Sequence, residues 1–324
     1  MSNKISVAMC TYNGEKFLQK QLESIFSQTF TVNEIIICDD GSTDGTEDIV
    51  NIFSRKYIDI ISFHKNEVNL KSVKNFEKAI SLTTGDFIFL CDQDDLWHPQ
   101  KVEKIINHFE KNPKAEAVFT DAVLIDDNEN PIKDYTLWLT CIFRPEIITA
   151  CGGFWKTYQS HDNMVTGATM CIKKIAKGFI FPFPESPEFH HDEWLALHFA
   201  QRETLFLLED KLTFYRIHQN QQVGGGLIER YETEKEYIDM VLNFKKPKNF
   251  QMYFKVFNRI YVLYNKHYQL MQNKDSYGID IEGLVNGDKN SLITIGKKIR
   301  KRYPILFTYK RFRDFKKNRR QIFK

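Results

Sequence analysis

Three short polar clusters hold most of the side chains that could do chemistry in the first hundred residues of this chain. They are Thr11-Tyr12-Asn13-Gly14, Asp39-Asp40-Gly41-Ser42-Thr43-Asp44-Gly45-Thr46 and Asp92-Gln93-Asp94-Asp95. The third is the most informative. Asp92 and Asp94 alternate by two, so an extended backbone points both the same way. Three carboxylates within four residues repel one another unless a cation sits among them. Oxygen ligands suit Mg2+ or Mn2+, which take one or two protein carboxylates and complete their shell with substrate phosphates. The competing reading is a solvated acidic loop. Against it, the cluster follows the apolar run Phe87-Ile88-Phe89-Leu90 and leads into Leu96-Trp97, an expensive place for idle charge. The second cluster, taken alone, is an ordinary turn and helix cap, with Ser42 or Thr43 capping the helix that follows.

These clusters need a scaffold, and the sequence supplies one. Lys4 to Cys10, Glu34 to Cys38 and Asp86 to Cys91 are short apolar runs, with a weaker fourth at Ala115 to Thr120. Continuous runs of this length suit parallel strands covered on both faces. Leu18, Leu22, Ile25 and Phe26 share one helical face between the first two runs. The pattern predicts further helices over 44–55, 73–82 and 100–110, the last opened by Pro99. Strand-helix-strand repetition makes an α/β, doubly wound, mostly parallel sheet with helices on both faces. Ligands on such a sheet bind beyond the carboxyl ends of its strands, where all three clusters fall. From 120 to 225 the reading is mixed, with strand-like pieces near 165–172 and 204–208 flanking a helix that begins about Asp192. Beyond 229 it turns helical. Tyr253, Phe257, Ile260, Tyr264 and Met271 mark one face of a long helix, and Gly278, Gly283 and Gly287 predict a break over 273–290.

Composition narrows the class. The chain has 324 residues, 42% hydrophobic and 14% aromatic, which excludes disorder. No stretch reaches the ~18 apolar residues of a spanning helix. The amino terminus does not read as a signal peptide, because Thr11-Tyr12-Asn13-Gly14-Glu15 interrupts Ile5 to Cys10 at once. A cytoplasmic location follows as the expectation. Six cysteines stand at 10, 38, 91, 141, 151 and 171 without a CxxC pair, so core packing is expected of them. Charge is segregated. Residues 297–324 carry 13 Lys and Arg against Asp314, a net of +12, and the rest of the chain is −9. The tail interleaves Tyr303, Phe307, Tyr309, Phe312, Phe315 and Phe323 with its cations. It reads either as a solvated helix or as a contact with anionic membrane, where each cation adds about 1 kcal/mol. Nucleic acid is not expected, since no upstream motif supports it.

The run from Ile5 through TYNG and DDGSTDGT to GDFIFLCDQDDLWHPQK resembles the family-two inverting glycosyltransferases of the GT-A fold. Later pieces agree: Val165-Thr166-Gly167-Ala168, His190-His191-Asp192-Glu193-Trp194, and Tyr215-Arg216-Ile217-His218 with Asn220 and Gly224. DQDDLW, HDEW and YRIHxN together look like the rhamnosyltransferase-type branch, which builds bacterial surface polysaccharides. The resemblance implies a nucleotide-binding half at about 1–110, an acceptor half at 111–225, and a helical appendage with a basic tail at 226–324. It implies that Thr11, Tyr12 and Asn13 line the base and ribose pocket and that Asp40 accepts from the base. Asp92 would face the ribose and donor sugar. Asp94 would bind Mn2+ or Mg2+ with His218, and Asp192 would be the catalytic base. Asp95, Glu193, Arg216 and Trp97 take supporting roles, Glu193 being the nearest substitute for the base and Trp97, like Trp194, either a sugar platform or a core anchor. One departure is Lys71, where the family often has glycine after Asn69-Leu70.

Without the motif context, the favoured reading of Asp192 is a helix N-cap and that of His218 a packed or surface histidine; with it, Asp192 reads as the base. The implied reaction moves rhamnose from dTDP-rhamnose, or a hexose from a UDP-sugar, to a saccharide or lipid-linked oligosaccharide. Its rivals are a sugar-nucleotide nucleotidyltransferase, which needs a more glycine-rich and basic loop than TYNGEK, and a non-catalytic binding module, which the intact Asp192 disfavours.

Overall fold

A computed structural model describes residues 3–186, 188–218, 221 and 226–308. Nine strands form one sheet: β1 (Ile5–Thr11), β2 (Glu34–Asp39), β3 (Ile61–Lys65), β4 (Phe87–Cys91), β5 (Leu96–Trp97), β6 (Ala117–Ile125), β7 (Pro131–Thr136), β8 (Met170–Lys173) and β9 (Leu205–Arg216). Their order is β3-β2-β1-β4-β8-β6-β9-β5, with β7 beside β6. The first four are parallel, and the apolar runs of β1, β2 and β4 suit strands covered on both faces. Past β4 the sheet turns mixed: β8 runs antiparallel to both β4 and β6, while β6 and β9 are parallel. β3 escapes a search for apolar runs because it is a half-exposed edge strand, Ile61-Ser62-Phe63-His64-Lys65.

The pleat sends successive residues to opposite cores. In β4, Ile88 and Leu90 enter one core and Phe87, Phe89 and Cys91 the other. Helices α1 (Leu18–Phe26), α2 (Thr46–Lys56) and α4 (Lys101–Lys111) cover the second core. The first is covered by α3 (Lys71–Leu82), the short α5 (Leu137–Thr140), α6 (Pro145–Cys151) and α7 (Phe154–Tyr158), and α8 (His191–Gln201). All six cysteines are free thiols.

After residue 226 the chain is helical: α9 (Leu227–Thr233), α10 (Lys235–Leu242), α11 (Phe250–Gln269) and α12 (Ile281–Arg302). These helices share a core with the sheet, because Leu270, Tyr277, Ile279, Ile281 and Leu284 pack with Trp194 and Leu197 of α8. The expected break over 273–290 is a correction. A 3-10 segment ends at Ser276, and α12 starts at Ile281 with Gly283 and Gly287 inside it. Asp280 caps that helix by accepting from Gly283 N at 2.7 Å, and a Cβ on Gly287 would lie 2.6 Å from the Gln159 side chain. Both glycines therefore serve a close approach, and Gly278, at φ +64, alone marks a turn. Tyr303 and Phe307 pack against α11. Tyr309, Phe312, Phe315 and Phe323 of the tail, and Asn220 and Gly224 of the YRIHxN segment, lie outside the described residues.

Candidate functional site

The loops after β1 and β2 are stitched to each other. Asn13, at φ +49, donates its N–H to Ser42 Oγ (2.8 Å), and its side-chain oxygen accepts from Thr43 N (2.9 Å). Asn tolerates this left-handed backbone because its side chain bonds locally. Gly14 N donates to Thr46 Oγ1 at 2.8 Å. Asp39, buried, accepts from Thr11 Oγ1 (2.7 Å) and from Ser42 N and Oγ. The neighbouring Asp40 accepts from Asn66 Nδ2 (2.9 Å), Leu70 N (2.7 Å) and Lys71 N (2.8 Å). Lys71 sits at φ +62, which supplies the physical reason for glycine there: the loop needs a left-handed residue to aim that N–H at Asp40. Thr11, Tyr12, Asn13 and Asp40 all line one cavity, and Tyr12 projects into solvent, 46% exposed.

The acidic loop is tied to the same place. Gln93 exchanges two hydrogen bonds with the backbone of Tyr12, at 2.8 and 3.0 Å. Asp92 and Asp94, both half-buried, face the cavity. Loss of solvent, then the charges of Asp94 and Asp192, push the Asp92 carboxyl up to about 7. Asp95 is buried; its Oδ1 accepts from Arg216 N at 2.9 Å and its Oδ2 has no partner among the described residues. Burial and the neighbouring carboxylates raise it well above the usual range. Two buried cations hold this charge in place. Arg216, fully buried, donates from Nε to Asp94 O (2.7 Å) and from Nη1 to Asp126 O (3.0 Å) and Asp127 O (3.2 Å), with its plane 4.5 Å over Phe17. Lys101 Nζ lies beneath, bonded to Ala168 O (2.6 Å) and Thr213 Oγ1 (2.9 Å). Sequence reading passed over Gln93 and Lys101. The signal for Lys101 was a charge four residues before Ile105, on the apolar face of its helix.

His218 Nε2 lies 2.9 Å from Asp94 Oδ2. Two ligands at right angles on an ion with bonds of about 2.0–2.1 Å would stand roughly 3 Å apart, so this pair fits adjacent positions on one divalent cation. Among the described residues no three acidic, His or Cys side chains converge as a ligand set. Such an ion would therefore need oxygens from a bound diphosphate to complete its shell. Trp97 corrects one expectation. It is 3% exposed, with its ring beside Phe89 (5.5 Å) and under Lys101 Nζ (4.3 Å), so it anchors the core instead of meeting a sugar. Trp194 is likewise buried, donating to Ile180 O at 2.9 Å.

Asp192 occupies the first turn of α8 but does not cap it; the N-cap is His190. Its carboxylate accepts from Gly167 N (3.0 Å), Asn163 Nδ2 (3.2 Å) and Glu193 N (2.6 Å) and faces the cavity. The Val165-Thr166-Gly167-Ala168 segment therefore serves as the rest for this carboxylate. Glu193 is 1% exposed and ion-paired with Lys266 of α11. Burial raises it to about 7 despite that pairing. The cavity, about 2130 Å³, runs from the strand ends past Asp192 to the helices after 226.

Helix α8 also sets an acid limit on stability. Burial lowers His191 to about 4, its ring stacked 3.7 Å from Phe76, and His198 to about 3, 4.7 Å from the Trp194 ring. The unfolded chain binds these protons near pH 6.5 and the native state does not, so stability falls as pH drops from about 6.5 toward 4. We expect His198→Leu to flatten that decline, read as urea midpoints at pH 7, 6 and 5. Parallel declines in variant and parent would refute it.

Comparison with known proteins identifies the fold and the family. A protein of Methanocaldococcus jannaschii, an uncharacterized glycosyltransferase, is 29% identical over 268 residues, spanning 80% of this chain and 87% of that one. EpsE of Bacillus subtilis, named as a glycosyltransferase, is 37% identical over 124 residues, 38% of this chain; the match spans only 45% of EpsE. Among solved structures, S. aureus TarS 1-349 in complex with UDP-GlcNAc superposes with a TM-score of 0.55 at 16% identity, covering 92% of each chain. The mannosyltransferase PcManGT of Pyrobaculum calidifontis, in complex with GDP-Man and Mn2+, gives 0.53 at 13% identity over 93% of this chain and 76% of that one. At such identities these two show the fold, GT-A. The sequence profile described as Glycosyl transferase family 2 matches residues 6–179, more than half of the chain, and the protein belongs to that family.

Proposed function

We propose that the chain is a metal-dependent, inverting glycosyltransferase that moves a sugar from a nucleoside diphosphate donor to a saccharide or lipid-linked saccharide. The observation that carries this reading is one cavity lined by Thr11, Asp92 and Asp94 at the strand ends and by Asp192 across from them, near enough that the charge of Asp192 raises the Asp92 carboxyl. Asp94 and His218 would hold Mn2+ or Mg2+. Bound there, such an ion neutralises charge on the departing diphosphate. Tyr12 and Asn13 would flank the base, and Oδ2 of Asp40, with a single donor among the described residues, keeps a lone pair for its ring N–H. Asp92 would receive the donor sugar's hydroxyls. Asp192, oriented by Gly167 and Asn163, takes the proton of the attacking acceptor hydroxyl, and attack from the face opposite the leaving group inverts the anomeric centre. Glu193 is the weaker candidate for the base, because it is nearly sealed from solvent and held by Lys266. Arg216 and Lys101 position the acidic loop without touching substrate.

The donor sugar is rhamnose or a hexose, and the product belongs to surface polysaccharide synthesis. Among the described residues no helix is long and apolar enough to cross a membrane. We place the chain in the cytoplasm, with the basic tail on the anionic inner face of the membrane. Melting with UDP, dTDP or GDP, each with Mn2+ and again with EDTA, tests the site. One nucleotide should raise the melting temperature, and EDTA should abolish the rise. No shift with any of the three would remove the metal-diphosphate site from this reading.

A further inference from the structure

The cavity is larger than a nucleotide-sugar requires. Sites for small ligands run to about 300–1,000 Å³, whereas this one is about 2130 Å³. Its two ends also differ in charge. Around the strand ends the lining carries Asp40, Asp92, Asp94, Asp126, Asp127 and Asp192, with Lys16 ion-paired to Asp127. Along the helices after 226 it carries Arg230, Lys245, Lys255, Arg259 and Lys266, with the carboxylates Asp162, Glu193 and Glu234; Lys245 is paired with Asp239 and Lys266 with Glu193, so the surplus lies with Arg230, Lys255 and Arg259.

The basic end is built, not scattered. Lys255 Nζ lies 2.9 Å from one oxygen of Glu234, and Arg259 pairs with the other. Both cations rest on the ring of Tyr237, at 4.9 and 4.6 Å. One carboxylate thus fixes two cations and leaves a positive excess. Arg259 meets Glu234 through Nη2, so its fork keeps further N–H donors for an incoming group. Arg230 is exposed beside them, and its charge reaches both Tyr237 and Cys141. A plain staple between α10 and α11 would explain the Glu234 pairs. It would not explain Arg230, nor why the surplus charge lines the same cavity as Asp192.

Resting on the transferase reading, we propose that this wall binds a phosphate ester carried by the acceptor saccharide and so selects phosphorylated acceptors over neutral ones. Guanidinium forks match phosphate oxygens in pairs, and the acidic end repels any anion not bridged by a metal. The phosphate is therefore confined to the helical end, which leaves the far hydroxyls of the acceptor to approach Asp192. Charge of this kind sets which partner enters more than it sets bulk affinity.

Calorimetry on the full chain, in EDTA, with glucose 6-phosphate as probe and glucose as the neutral control, tests this. Glucose 6-phosphate should bind saturably and glucose should not. Arg230→Gln and Arg259→Gln should each weaken that binding by about tenfold, while the nucleotide-induced melting shift is kept. Vesicles of phosphatidylglycerol against phosphatidylcholine separate the two sources of phosphate. If vesicle binding, in place of glucose 6-phosphate binding, falls in both variants, the phosphate is a lipid-borne one. Binding of neither probe, or equal binding in parent and variants, overturns the proposal while leaving the transferase reading intact. Absence of the nucleotide shift with phosphate binding preserved would remove the transferase reading instead. Among the described residues Arg230 forms no ion pair, so its variant remains informative if Arg259→Gln fails to fold.

Discussion

Asp192→Asn should lower the transfer rate by about 10²- to 10⁴-fold, the range for removing a positioned general base. The substitution is close to isosteric. An Asn oxygen can still accept from Gly167 N, which now bonds Asp192 Oδ2 at 3.0 Å, and the first turn of α8 stays in place. Folding and nucleotide binding should therefore be spared, so the loss falls on kcat and not on the melting shift given by donor nucleotide and metal. Initial rates beside that melting shift make the comparison. A variant that transfers within a few-fold of the parent removes Asp192 as the base. In that event Glu193→Gln becomes decisive, because Glu193 is the adjacent carboxyl and its raised value, about 7, would suit proton transfer.

Arg216→Met should have the largest effect on the fold of the site. The guanidinium is fully buried and satisfies the carbonyls of Asp94, Asp126 and Asp127, besides standing 3.8 Å from Glu129. Methionine fills much of the volume but donates nothing. Truncating one partner of a buried charged network typically costs about 3–5 kcal/mol, and the loss falls on the loop bearing Asp94. Both the urea midpoint and the metal-dependent nucleotide shift should drop. Arg216→Lys should recover only part, because one ammonium cannot span three carbonyls held by a planar fork. A methionine variant with the parent's midpoint and the parent's nucleotide shift would show that the acidic loop holds itself.

Legibility in the sequence followed burial. Fully covered strands such as Glu34–Asp39 and Phe87–Cys91 need apolar residues on both faces, so they stand out as uninterrupted runs. The edge strand Ile61–Lys65 is covered on one side and hydrogen-bonded on one edge, and its mixed sequence gave no such run. Gly283 and Gly287 misled in the opposite sense: a helix tolerates glycine where a neighbour presses close, and here the neighbours are the capping Asp280 for Gly283 and, for Gly287, Gln159, more than a hundred residues away. Tryptophans beside acidic clusters read either as sugar platforms or as core anchors, and burial of Trp97 and Trp194 selects the anchor.

While the candidacy of Asp192 and His218 rested on the resemblance of HDEW and YRIH to a family, local chemistry by itself determined strands β1, β2 and β4 of the parallel half of the sheet, the strand-end placement of TYNG, DDGSTDGT and DQDD, and the candidacy of Asp94. Those depend on periodicity and on residue type, which are properties of short segments. Tertiary structure alone decided what each of those side chains is free to do. It spent Asp39 and most of Asn13 on joining two loops, left Asp192 facing a cavity where a helix cap was the favoured reading of the residue alone, and set His218 2.9 Å from Asp94 across 124 residues of chain. It also brought Lys101 and Arg216 behind the acidic loop and the cations of the last helices to the cavity wall. No local pattern encodes such meetings, because the energy that fixes them comes from burying charges together, and which charges share a cavity is known only once the chain has closed on itself.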